Sequence, residues 1–93
     1  MNLLPVGTGV LASADKVVGA DPVLLFISDA DGGYPPQACQ VNVEFKAASG
    51  QYMRQLLALS YDRPAVVLDA PPGTTFRVKR IAGTVGVDAQ GVT

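Results

Sequence analysis

The 93-residue sequence contains no histidine, no tryptophan and a single cysteine. Histidine is the usual general base near neutral pH and the commonest metal ligand, so its absence excludes triads and metal sites that need an imidazole. One cysteine excludes an intrachain disulfide, as expected for a reducing compartment or for a fold that needs no covalent cross-link. The sequence therefore predicts a protein that is not an enzyme and that needs no cofactor.

The reactive side chains that remain lack the neighbours that chemistry requires. Cys39 follows the same alternation as the valines after it, which predicts a buried core thiol and not a nucleophile. Residues 29–36 (DADGGYPP) contain two aspartates, but Gly33 and Gln40 stand where a calcium-binding EF-hand loop has side-chain ligands. We expect an exposed turn in which the aspartates bind their own backbone, and no metal site.

Charged residues make up only 16% of the chain, and the net charge is −1. A nucleic-acid-binding surface needs a strongly basic face, so we expect no nucleic-acid partner. The charge is unevenly divided, with −4 over residues 1–45 and +3 over residues 46–93. Two ends of opposite sign favour head-to-tail contacts between copies; the alternative is a chance gathering of acids in loops and bases in strands.

Long apolar runs are also absent, since no stretch approaches the ~18 consecutive apolar residues of a transmembrane helix. Residues 1–14 are apolar, but no lysine or arginine precedes them and Pro5, Gly7 and Gly9 interrupt them. We therefore expect neither a signal peptide nor a membrane partner.

Turn-forming residues recur at short intervals and leave runs of about 6–10 residues, which suit strands better than helices. The apolar run 23–27 indicates a strand buried on both faces or at an interface. Residues 39–47 and 75–82 alternate between apolar and polar, as strands with one face in a core do. Together these runs predict a single all-β domain over residues 1–93, a small antiparallel β-sandwich or barrel of about six to eight strands.

Two stretches leave the secondary structure open. Residues 51–60 (QYMRQLLALS) suit either a short helix or a strand, and we favour the strand because the neighbouring runs are strands. A short strand near Val17 and Val18 is the second open case. The first residues, within 1–14, predict an extended N-terminal arm or an edge strand.

A regular succession of turns and strands, here called the turn-and-strand cadence, covers the C-terminal half of the sequence. It runs through Gly50, the apolar residues 56–59, the β run 65–68, Pro72-Gly73, Phe76-Arg77-Val78, Gly83 and Val85-Gly86-Val87. This cadence resembles small virion structural proteins of tailed bacteriophages. The resemblance implies a capsid decoration (cement) protein or head-fibre-like subunit, located in the virion and assembled in the host cytoplasm. Its implied partners are the major capsid protein or other virion subunits, with self-association in a symmetric assembly.

Three regions are predicted to contact such partners: the arm (Asn2, Leu3, Leu4, Val6), the loop (Asp29, Asp31, Tyr34, Pro35) and the basic strand (Arg77, Lys79, Arg80). For the basic strand, the alternative is a solvated face that discourages aggregation at a sheet edge. The alternative function is a carbohydrate- or receptor-binding β-sandwich, although three tyrosines and no tryptophan supply few aromatic platforms. An enzyme accessory domain or a small enzyme is the third hypothesis, which the absence of histidine disfavours.

Overall fold

A computed structural model describes residues 2–54 and 58–90 of the chain. These residues form ten β-strands and no helix, which confirms the predicted all-β class. The strands are β1 (Asn2–Gly7), β2 (Leu11–Ala12), β3 (Lys16–Val17), β4 (Val23–Ser28), β5 (Gln40–Lys46), β6 (Tyr52–Arg54), β7 (Leu59–Ser60), β8 (Ala65–Leu68), β9 (Thr75–Ala82) and β10 (Val85–Gln90).

The strands form two antiparallel sheets, as in a small β-sandwich. The first sheet has the order β1-β10-β4-β8. In the second sheet β9 and β5 are central, β2 and β3 both pair with β9, and β6 and β7 both pair with β5. Two interrupted edges thus make the second sheet four strands wide as well. The ten strands therefore occupy eight strand positions, four in each sheet, which agrees with the six to eight strands expected for a small sandwich.

Period-2 alternation places the core between the sheets. Val41 and Val43 of β5 and Phe76 and Val78 of β9 are fully buried, as their spacing predicts. On β4 the residues Val23, Leu25 and Ile27 are buried, while Leu24 and Phe26 on the other side are only half-buried. The apolar run 23–27 therefore has one core face and one partly solvated face, so burial on both faces is not observed, and the alternative of a strand at an interface stays a prediction.

The N-terminal residues form an edge strand and not a free arm. Strand β1 pairs with β10, and two register shifts interrupt the pairing. Leu3 and Leu4 belong to the buried core. Of the two alternatives for this segment, the edge strand is the one observed.

The ambiguous stretches are strands wherever the structure describes them. Tyr52–Arg54 and Leu59–Ser60 pair with β5, which confirms the strand interpretation there, and positions 55–57 lie outside the described residues. Lys16–Val17 forms the short strand expected near Val17. Met53 and Leu59 lie opposite core-facing residues of β5, yet Met53 is 64% exposed because it lies at the margin of the sheet.

Gly83 lies at the corner where the chain leaves one sheet and enters the other. Only two residues separate β9 from β10, and the two strands belong to different sheets. Gly83 has a positive φ of 88°, and a Cβ added there would lie 2.5 Å from the Cβ of Cys39 and 2.7 Å from the carbonyl oxygen of Ala38. This corner requires glycine for its backbone conformation and for the close approach of another segment.

Gly83→Ala is expected to destabilise the fold more than Gly50→Ala, although both glycines have a positive φ. At Gly50 an added Cβ meets nothing within 4 Å, so that variant reports backbone strain alone, about 1 kcal/mol. Overpacking at Gly83 is expected to cost about 1–3 kcal/mol more. Urea unfolding of both variants measures the difference, and equal losses would show that the corner accommodates a side chain.

Candidate functional site

Arg80 lies on the core side of β9, with only 3% of its surface exposed. Its Nε donates to the carbonyl of Gly9 at 2.9 Å, and its Nη1 donates to the carbonyls of Pro5 and Val85, each at 3.0 Å. These acceptors lie in the N-terminal segment and at the start of β10, so the guanidinium joins β9 to the opposite sheet. Arg80 therefore binds within the chain and presents no charge to a partner in this fold.

Arg77 lies on the opposite, outer face of β9 at the centre of a polar cluster. Its Nε donates to Glu44 Oε1 at 2.7 Å, and its guanidinium carbon lies 3.5 Å from the ring centre of Tyr52. The Tyr52 hydroxyl donates to Asp15 Oδ1 at 2.7 Å, and Lys46 Nζ donates to Asp15 Oδ2 at 3.2 Å. We call these five residues the Arg77 cluster. No sequence pattern indicates the contacts of Asp15 and Tyr52, which join segments far apart in the chain.

The Arg77 cluster shifts the pKa values of its members. The Tyr52 hydroxyl hydrogen bond is the main reason that the pKa of Asp15 is lowered, and Lys46 adds to it while desolvation opposes it. The same hydrogen bond raises the pKa of Tyr52. The hydrogen bond to Glu44 raises the pKa of Arg77. The contacts with Glu44 and Tyr52 leave only a minor part of the Arg77 side chain exposed to solvent.

Strand β9, which carries the basic residues Arg77, Lys79 and Arg80, lies inside its sheet and not at an edge. Strand β9 pairs with β5 on one side and with β2 and β3 on the other. It is therefore not a sheet edge, and its charges do not protect an edge from aggregation. Lys79 is half-buried on the outer face, where Asn42 lies opposite it.

The loop after β4 is built as the sequence predicts. Asp29 Oδ1 accepts backbone N–H groups from Asp31 at 3.0 Å and Gly33 at 2.8 Å, and Gly32 has a positive φ. Tyr34 is 60% exposed, its hydroxyl donates to the Tyr61 carbonyl at 2.9 Å, and the two rings meet edge to face. Pro35 is buried beside this exposed pair, and Asp31 is exposed.

The four residues predicted as arm contacts divide into two pairs. Leu3 and Leu4 are buried in the chain's own core, so their side chains are not offered to a partner in this fold. Asn2 is exposed and its Nδ2 donates to Asp88 Oδ1 at 3.1 Å. Val6 is 41% exposed and packs over Gly86, where an added Cβ would lie 2.9 Å from Val6 Cγ2.

An apolar surface that the sequence analysis did not single out lies on the outer face of the first sheet. Leu24 lies opposite Val67, and Phe26 lies opposite Ala65, so these four side chains share one face of β4 and β8. Val67 is 62% exposed. We call these four residues the apolar half-face. The alternation of Leu24 and Phe26 within the run 23–27 is the signal that could have revealed it.

A shallow surface pocket of about 340 Å³ lies at the C-terminal end of β8. It is lined by the segment before β4, including Asp21 and Pro22, and by Val67, Asp69 and Pro72. Two carboxylates thus lie at one opening, a pairing that the sequence did not indicate. In the part of the chain that the structure describes, no three His, Cys, Asp or Glu side chains are grouped closely enough to hold a metal ion.

The single thiol, Cys39, is buried, as the alternation predicts. Burial raises its pKa, and a backbone hydrogen bond involving Tyr61 partly opposes this. The thiolate that a nucleophile requires is therefore disfavoured. Among the described residues there is also no helix long and apolar enough to span a membrane.

No protein-family model, curated protein or solved structure matches this chain.

Replacing Arg80 by methionine is expected to destabilise the fold by about 2–5 kcal/mol, because three buried carbonyls lose their donor. Lys79→Met on the outer face is the matched control and is expected to change stability by about 0.5 kcal/mol or less. Chemical denaturation measures both. Equal effects would mean that the carbonyls of Pro5, Gly9 and Val85 find other donors.

Asp15 is expected to make stability depend on acidity. Its pKa is lowered in the folded protein, so its contribution is fully present above the unfolded value of 3.8 and is lost as pH falls through the lower folded pKa. The stability difference between the wild type and Asp15→Asn should therefore be constant near neutral pH and shrink below about pH 3.8. Tyr52→Phe removes the main cause of the shift and should move this loss towards the unfolded pKa. A difference that does not change across this range would contradict the assignment.

Proposed function

We propose that the chain is a non-catalytic structural subunit of a virion, which attaches to the capsid or to another virion subunit as a decoration protein. The turn-and-strand cadence of residues 50–88 supports the virion class, and the confirmed β-sandwich is compatible with it. The observation that carries the adhesive role is the apolar half-face. An exposed apolar patch on a small domain marks a site of protein contact.

The two outer faces of the sandwich differ in how much contact they offer. On the second sheet, the charges of Arg77, Glu44 and Asp15 are neutralised within the chain. On the first sheet, Leu24 and Phe26 are only half-buried and Val67 is mostly exposed. The first sheet is therefore the face proposed to lie against a shell.

A decoration protein needs only a weak contact at each interface with the shell. Symmetry repeats one contact many times over a shell, and linked or neighbouring copies convert weak contacts into stable attachment. A patch of four apolar side chains suits a modest contact of this kind better than a tight binary complex. The head-to-tail charge contact expected from the sequence is weaker support, because Arg77 and Lys46 are already paired with acids of the N-terminal half.

Co-sedimentation with purified bacteriophage capsid shells tests the proposal. The wild type is expected to pellet with the shells at a fixed ratio. Phe26→Gln, which removes an apolar side chain from the half-face, is expected to weaken binding on the order of tenfold. Val17→Gln, at a 47% exposed valine of the other sheet, is the control and should bind as the wild type does. A wild type that stays in the supernatant at saturating shell concentration would contradict the proposal.

The second candidate is a carbohydrate-binding module, which the exposed Tyr34 favours. The hydrogen bond from its hydroxyl to Tyr61 and the edge-to-face ring contact hold the ring in place, as a sugar platform requires. A glycan array decides between the candidates. Glycan binding that is lost in Tyr34→Ala, together with no shell binding, would favour the module.

A further inference from the structure

The basic residues of the chain are confined to one of the two sheets. Six of the seven lie in strands of the second sheet, namely Lys16, Lys46, Arg54, Arg77, Lys79 and Arg80. The seventh, Arg63, lies in the turn between β7 and β8. Among the described residues, the strands of the first sheet contain no lysine or arginine and one acid, Asp88 of β10. The charge that the first sheet presents is therefore acidic.

The pocket at the C-terminal end of β8 adjoins the apolar half-face. Val67 belongs to the half-face and also lines the pocket. Asp21 and Asp69 line the same pocket of about 340 Å³, and its other walls include Pro22 and Pro72. A side chain that lies on the half-face at Val67 therefore continues into an opening with apolar walls and two carboxylates.

The carboxylates of this pocket are not neutralised within the chain. Neither Asp21 nor Asp69 forms a hydrogen bond or an ion pair with any residue that the structure describes. By contrast, Asp15 and Glu44 are paired with bases of the second sheet, and Asp88 accepts a side-chain hydrogen bond from β1. A cleft lined by charges of one sign attracts a ligand of the opposite sign. The pocket therefore favours a cation.

Hydrogen bonds hold the walls of the pocket in place. The N–H of Val18 donates to the carbonyl of Thr74 at 2.9 Å, and the N–H of Gly73 donates to the carbonyl of Val18 at 2.8 Å. The Thr74 hydroxyl donates to the carbonyl of Pro71 at 2.7 Å. These bonds join the turn before β9 to the segment before β4, and both segments line the opening. A site that is formed before its ligand arrives has a lower ordering cost on binding.

We propose that this pocket binds a lysine or arginine side chain of the partner, whose neighbouring apolar side chains lie on the apolar half-face. The inference rests on the proposed function, because it names the chemistry of the segment that the half-face contacts. The aliphatic stem of a lysine or arginine packs on walls of proline and valine, while its charged end meets the carboxylates. The same carboxylates disfavour an anionic partner by like-charge repulsion.

Two matched peptides test the pocket on the isolated protein. The probe is acetyl-Leu-Lys-Leu-amide, and the control is the same peptide with glutamine in place of lysine. In nitrogen–proton NMR correlation spectra, the lysine peptide is expected to shift the amide resonances of residues 19–21 and 67–70 at millimolar concentration and to bind about fivefold more tightly than the control. The double variant Asp21→Asn, Asp69→Asn should lose this preference. Equal binding of the two peptides, or a lysine preference that survives in the double variant, would overturn the proposal.

Shell binding tests the same pocket in the assembly. Asp21→Asn and Asp69→Asn are each expected to weaken shell binding about threefold, and added salt should weaken the wild type more than the double variant. Asp62→Asn, at an exposed aspartate of the turn before β8, is the control and should bind as the wild type does.

The two experiments separate this inference from the proposed function. Shell binding that both carboxylate variants retain in full would overturn the inference and leave the proposed function standing. A wild type that binds no shells would contradict the proposed function, and the peptide comparison on the isolated protein then decides whether the pocket binds a basic side chain.

Discussion

The sandwich depends on one buried cation that holds its two sheets together at one end. Arg80 extends from β9 between the sheets and donates to carbonyls of Pro5, Gly9 and Val85. No carboxylate among the described residues pairs with it, so carbonyl dipoles alone compensate the cost of burying its charge. Arg80 and Val85 flank the Gly83 corner, and Pro5 lies in β1. The hydrogen bonds of Arg80 therefore hold the Gly83 corner, the start of β10 and the N-terminal edge strand together. Their acceptors come from more than one of these segments.

The sequence predicts the parts of this arrangement that depend on local pattern. Alternation assigns Phe76 and Val78 to the core, and the same period places Arg80 on their side of β9. The prediction of one basic contact surface on this strand nevertheless included Arg80, because a charged side chain is seldom buried without an ionic partner. Arg80 can be buried because the carbonyls of Gly9 and Pro5, which lie 71 and 75 residues away in the sequence, accept its hydrogen bonds. Nothing in the local sequence indicates that the N-terminal segment lies beside Arg80.

The Arg77 cluster shows the same division between local and long-range information. The alternation of residues 39–47 indicates that Glu44 points away from the core, and that of residues 75–82 indicates the same for Arg77. Neither pattern states that β5 and β9 are neighbours in register, which is what brings the two side chains to 2.7 Å. Part of the uneven charge of the two halves of the sequence is neutralised by such pairs, Glu44 with Arg77 and Asp15 with Lys46. Acids of the first half meet bases of the second half within the chain, which leaves less charge for contacts between copies.

The scarcity of charge explains why the two outer faces differ. With seven basic and eight acidic residues, the chain has few charged side chains to distribute over two sheets. The second sheet uses five polar or charged side chains in the Arg77 cluster, and β10 with Asn2 supplies polar groups to one side of the first sheet. Strands β4 and β8 then have mainly apolar residues, Leu24, Phe26, Ala65 and Val67, on the rest of that face. Their exposed side chains are therefore a consequence of composition as much as of function.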